Sequence, residues 1–203
     1  MKSVKNCVIT VFALAVAAGS ANAGVIINVT EAGGNVIFAS AGSLNLTGAT
    51  SLGGNTATLG FIPGGSNWYL ASGSGNTTVE YVLTSVAGPF GTSTAFYSSI
   101  SSSSGDAFLI WGNHGNTPQV GVPTGYISGN SINSGMVYSG ATIAGFTMTP
   151  GTYLYSLPND TVTLNIGNAA AAAVPEPSAL SLIVLGLAGL AAVRRRKSFK
   201  RAA

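Results

Sequence analysis

Apolar and polar residues alternate with a period of two in short runs along most of this chain. The clearest run is 161–166, where Val162, Leu164 and Ile166 face one way and Thr161, Thr163 and Asn165 the other. That period marks a strand with one face on a core and one in water. Residues 78–83 alternate too, grouping Val79, Tyr81 and Leu83 on one face. Residues 25–29, 35–39, 44–47, 57–62, 107–111 and 152–157 also read as strands. Turn formers separate these runs: Gly33-Gly34, Gly53-Gly54-Asn55, Pro63-Gly64-Gly65, Gly112-Asn113, Pro150-Gly151 and Pro158-Asn159-Asp160. The serine-rich stretch 98–104 reads as a flexible surface loop. No segment of 24–167 keeps a helical period, and no fixed repeat length points to a solenoid. The expectation for 24–167 is an all-β domain, an antiparallel β-sandwich or a jelly roll.

The two ends break this pattern with continuous apolar runs. Residues 7–18 follow Lys2 and Lys5 and precede Ala21-Asn22-Ala23. A positive start, a short apolar helix and a small-x-small tripeptide predict a signal peptide, residues 1–23, cut by signal peptidase after Ala23. Ala21 and Ala23 supply the small side chains that its pockets accept. Cys7, the chain's one cysteine, is removed with it, so the mature domain has no disulfide. Near the other end, residues 179–193 are uncharged and apolar. As a helix at ~1.5 Å per residue this run spans ~22 Å, short of the ~30 Å hydrocarbon core. Arg194, Arg195, Arg196 and Lys197 follow it, and long basic side chains can reach the headgroups and cover part of the deficit. The expectation is one C-terminal transmembrane helix with its basic stop in the cytoplasm. Together the two ends predict a single-pass protein whose 24–167 domain lies outside the inner membrane.

Charge follows the same division. The formal net charge is +3, yet all eight Lys and Arg residues lie in the end segments. The domain holds only Glu31, Glu80, Asp106, Asp160 and His114 as acids and imidazole. A body with no permanent cation is not a nucleic-acid binder, since nothing meets the phosphates. The same poverty argues against catalysis. No G-x-S-x-G elbow accompanies Asp106, His114 and the many serines, and no two acids lie close in sequence. Phosphate-loop, dinucleotide and metal-ligand patterns are missing as well. No catalytic residue, cofactor or metal is expected. Two aromatic stretches remain. Trp68-Tyr69 follows Gly65-Ser66-Asn67, and Trp111 leads into Gly112-Asn113-His114. Aromatic faces beside amides and hydroxyls suit a sugar ring, and the competing reading is core aromatics followed by turns.

Between domain and helix stand a small-residue spacer, 168–174, and Pro175-Glu176-Pro177. Each proline holds the residue before it extended. Pro177 suits the first position of a helix, and Glu176 lies near that helix's positive end. An extended peptide at the outer membrane boundary can enter a processing cleft where a helix cannot. Val174-Pro175-Glu176-Pro177-Ser178, a short apolar helix with Gly186 and Gly189, and an Arg-rich terminus resemble the PEP-CTERM sorting signal. The resemblance covers 175–203, as helix 179–193 and basic tail 194–203. It implies recognition by exosortase, with release to the cell surface or medium. Two stretches, 122–129 and 150–153, also look like an exported domain found attached to this signal, one that implies no activity. The function expected is a non-enzymatic surface or matrix protein associated with exopolysaccharide or biofilm. The alternative is a carbohydrate-binding module or adhesin with one aromatic site.

Overall fold

Gly33 and Gly34 form the first turn, with φ of 57° and 75°, a left-handed pair that residues with a Cβ rarely adopt. They join β1 (Val25–Ala32) to β2 (Asn35–Ser43) as a two-residue hairpin closed by the Ala32 and Asn35 pair. The computed structural model describes residues 24–167. The predicted signal helix, the spacer and the 179–193 helix therefore lie outside the described residues.

Two sheets are built from thirteen strands, and no helix occurs among the described residues. The remaining strands are β3 (Ser51–Thr56), β4 (Gly60–Ile62), β5 (Tyr69–Ser72), β6 (Thr77–Val82), β7 (Ser85–Val86), β8 (Ser102–Gly105) and β9 (Phe108–His114). They continue with β10 (Thr117–Pro123), β11 (Ser131–Ser139), β12 (Gly151–Ser156) and β13 (Thr161–Ile166). The seven-stranded sheet, sheet A, runs β7-β12-β13-β1-β2-β11-β8. The six-stranded sheet, sheet B, runs β3-β6-β10-β9-β5-β4. Their facing sides share one core, with Val25, Ile27, Val29, Phe38, Val162, Leu164 and Ile166 from sheet A and Leu70, Phe108, Ile110, Val120 and Val122 from sheet B. This is the two-layer, all-β arrangement of a sandwich. Burying each of these side chains stabilises the fold by roughly 1.5–3 kcal/mol. Phe61 adds an aromatic knot, its ring 4.9–5.4 Å from those of Phe38, Tyr97, Tyr138 and Phe146.

Several expectations change here. The pairing is antiparallel except between β1 and β13, which run parallel in register from Val25 and Val162 to Val29 and Ile166. The stretch 44–47 is not a strand; it leaves β2 and is tied down by Tyr126, Ser128 and Asp160. Gly53-Gly54-Asn55 lies inside β3, which carries a register shift against β6 between Ser51 and Gly53. Gly112-Asn113 belongs to β9, and the turn comes at Gly115-Asn116, with φ of 60° and 66°. The serine run ends in edge strand β8, paired with β11. Strands β10 and β11 escaped the sequence reading because glycine and proline interrupt their alternation.

Candidate functional site

Register decides which aromatics meet. Tyr69 pairs with Trp111, and Leu70 with Ile110, across β5 and β9. Leu70 and Ile110 enter the main core, so Tyr69 and Trp111 stand on the opposite, outer face of sheet B. There they join Ala57, Ile62, Ala71 and Leu109 in a second small cluster. The Tyr69 and Trp111 rings meet edge to face at 4.8 Å. His114, at the end of β9, stacks flat on Trp111 at 4.0 Å and 3°. Phe96, 43% exposed, flanks Tyr69 at 6.2 Å. The chain from Asn55 to Thr58 closes the other side, and the Tyr69 hydroxyl donates to the Thr58 carbonyl at 2.7 Å. These residues line a cleft of about 400 Å³.

Behind this wall lies a carboxylate. Glu80 of β6 is aligned through Gly121 with Leu109, which places it on the same outer face. It is 3% exposed. Asn55 Nδ2 donates to its Oε1 at 2.8 Å, and His114 Nδ1 stands 3.6 Å from its Oε2. Burial pushes the Tyr69 phenol well above its ordinary pKa, and the charge of Glu80 adds to that. Gln119 pairs with Trp111 and donates to the His114 carbonyl at 2.8 Å, which fixes the β9–β10 corner. Gln119 Oε1, Thr78 Oγ1 and Trp111 Nε1 are buried without a hydrogen-bond partner among the described residues.

The sequence candidates divide. Tyr69 and Trp111 share the cleft, while Trp68 is 3% exposed and packs on the core side against Tyr155 at 5.0 Å and Phe90 at 6.2 Å. Trp68 as a sugar contact is thus corrected, because it lies just before β5 and turns into the main core, opposite to Tyr69. Gly112 makes room for the indole, since a Cβ there would strike it. His114 faces Glu80, whereas Asp106 accepts the Asn133 N–H at 2.9 Å. Asn55, Glu80 and Phe96 were not singled out from the sequence. Glu80 had one signal: its place in 78–83 is opposite in parity to Val79 and Tyr81. Both faces of that stretch prove buried or half-buried, with Thr78 at 1%.

The outer face of sheet A is different in kind. Asn165 Nδ2 donates to Asn28 Oδ1 at 3.1 Å, and Thr152 Oγ1 donates to Asn165 Oδ1 at 2.9 Å. Beyond that ladder the same face continues through Ala39, Gly135 and Ser104, with no charged group in the row.

Ala21, Ala23, Pro175, Glu176, Pro177 and Arg194, Arg195, Arg196 and Lys197 lie outside the described residues. No curated protein and no solved structure matches this chain. Residues 173–197 match the family model of the PEP-CTERM protein-sorting motif. The match spans the Pro-Glu-Pro triplet, the apolar run and the basic cluster together. The chain thus carries a PEP-CTERM sorting motif, which implies processing by exosortase and export to the cell surface or the medium.

Proposed function

We propose that the 24–167 domain is a non-enzymatic surface or matrix component, associated with extracellular polysaccharide or biofilm. In this reading signal peptidase removes 1–23, and the 179–193 helix holds the chain in the inner membrane, C-terminus in the cytoplasm, until exosortase acts. The sorting motif at 173–197 carries the reading. Further support comes from the carboxylates, each of which ties structure together. Glu31 accepts from Ile143 N–H, Asp106 from Asn133 N–H, and Asp160 from Asn45 and Thr161 N–H. The uncharged Asn, Thr and Ser face of sheet A suits packing among neutral glycans. Intact mass of the exported protein tests the processing. The expected mass lacks both 1–23 and the basic tail, and a species still carrying Arg194 to Arg201 would sink the proposal.

The cleft favours a second reading, a carbohydrate-binding module. Tyr69, Trp111 and Phe96 offer ring faces and edges, and Asn55, Thr58 and His114 offer polar groups. With no Lys or Arg in the domain, the ligand is a neutral sugar rather than an acidic one. Trp111→Ala is expected to abolish saturable binding to a neutral glycan array while changing Tm little, because Trp111 is only half-buried and lies outside the main core. Binding that never saturates, or that survives this substitution, returns the domain to the matrix reading.

A further inference from the structure

Four carboxylates and no lysine or arginine leave residues 24–167 without a permanent cation. The one close approach of an imidazole or other basic group to a carboxylate among the described residues is His114 Nδ1, 3.6 Å from Glu80 Oε2 on sheet B. Asp160, at the turn before β13, is 8% exposed and meets no cation among the described residues. Its Oδ1 accepts the Thr161 N–H at 2.8 Å and its Oδ2 the Asn45 N–H at 2.7 Å. Those bonds fill lone pairs but bring no net charge to a group held out of water.

Gly24 lies against this carboxylate. A Cβ on Gly24 would collide with the Thr161 carbonyl oxygen and stand 3.0 Å from Asp160 Oδ1. On the other side, a Cβ on Gly42 would collide with the Gly24 carbonyl oxygen. Gly24 is therefore wedged between β2 and the start of β13, where only glycine fits. Its nitrogen and a Cβ branch from the same Cα about 2.5 Å apart, which puts that nitrogen within about 5.5 Å of Oδ1.

We infer that Asp160 is a docking site for an ammonium group, the α-amine that cleavage after Ala23 creates on Gly24. The inference rests on the signal-peptide reading. Before cleavage the nitrogen is a neutral amide; afterwards it is an ammonium group, at the start of β1 between β2 and β13. Tyr126, the other titratable group facing Asp160, is held neutral because burial raises its phenol pKa. Its hydroxyl accepts the Leu44 N–H, so the charge beside Gly24 is that of Asp160. An amine paired with a carboxylate titrates above its free range of about 7.7–8.0, whereas burial alone would lower it. The stabilisation is then complete below about pH 7.7 and lost as pH rises through the elevated value.

The test uses the exported protein. Sequencing its N-terminus establishes the first residue, and the acylation rate of that residue across pH is followed on the N-terminal peptide by mass spectrometry. A chain beginning at Gly24 is expected, with a midpoint about one unit above that of the same protein unfolded in urea. Asp160→Asn is expected to return the midpoint to the unfolded value. If that variant does not fold, the folded and urea-unfolded wild type decide by themselves. A midpoint at or below the unfolded value overturns the ion pair while leaving the signal peptide intact. A first residue other than Gly24 overturns the ion pair and the cut after Ala23, and a chain still beginning at Met1 overturns the signal peptide too.

Discussion

Trp68→Ala is expected to destabilise the domain by about 3–5 kcal/mol, the usual cost of emptying a large aromatic site in a core. The indole is 3% exposed, packs on Tyr155 and Phe90, and covers the glycine at 112. Its neighbours, Tyr155 on the facing sheet and Phe90 on the segment between β7 and β8, are themselves fully buried and packed in the same core. For a domain of this length the loss corresponds to a fall in Tm of roughly 6–20 °C. Thermal unfolding followed by near-ultraviolet circular dichroism measures it. Against total stabilities of about 5–15 kcal/mol, a protein near the lower end would not stay folded at all. A fall of only a degree or two would mean that Trp68 does not face the core. The contrast with Trp111→Ala is informative, since two tryptophans of similar sequence setting are expected to affect different properties.

Ending the chain at Asp160 is expected to abolish cooperative folding altogether. Strand β13 lies inside sheet A, bonded to β1 on one side and β12 on the other. It brings Val162, Leu164 and Ile166 to the core, all fully buried. At roughly 1.5–3 kcal/mol for each side chain, these three alone approach the net stability of a small domain. Removing the strand would also expose two unpaired edges. A truncated protein that kept a sharp thermal transition within a few degrees of the full chain would contradict this topology. The arrangement also bears on the order of assembly. Strand β13 is the last strand of the domain in chain order, so β1, already able to pair with β2, gains its parallel neighbour only when the rest of the domain has been made. Immediately after β13 the chain runs to the sorting motif at 173–197. The last strand of the domain and the sorting motif are thus neighbouring but separate segments, 161–166 and 173–197.

Much of this was readable from pattern alone. The alternation at 161–166, the glycine pair at 33–34 and the turn at 158–160 sit where local rules put them, because each depends only on neighbouring residues. The class of the fold followed from the same signals. The cleft was only half legible. Tyr69 and Trp111 stood out as aromatics beside polar turns, but so did Trp68, and parity along a strand separates them only once its inner face is known. That depends on which strand lies opposite. Glu80 and Asn55 are 25 residues apart, and their bond is set by the bulged pairing of β3 with β6, which glycines hid from the periodic reading.

The sequence by itself determined the all-β class, the concentration of every Lys and Arg in the two ends, and the sorting motif, because composition, period and a contiguous motif are local properties. Only the tertiary structure decided that β1 and β13 lie side by side, that Trp68 is core while Trp111 faces the cleft, and that Asp160 waits beside Gly24. Each of these joins residues far apart along the chain, by register and by the burial of one sheet face against another, and neither is written in any short window of sequence.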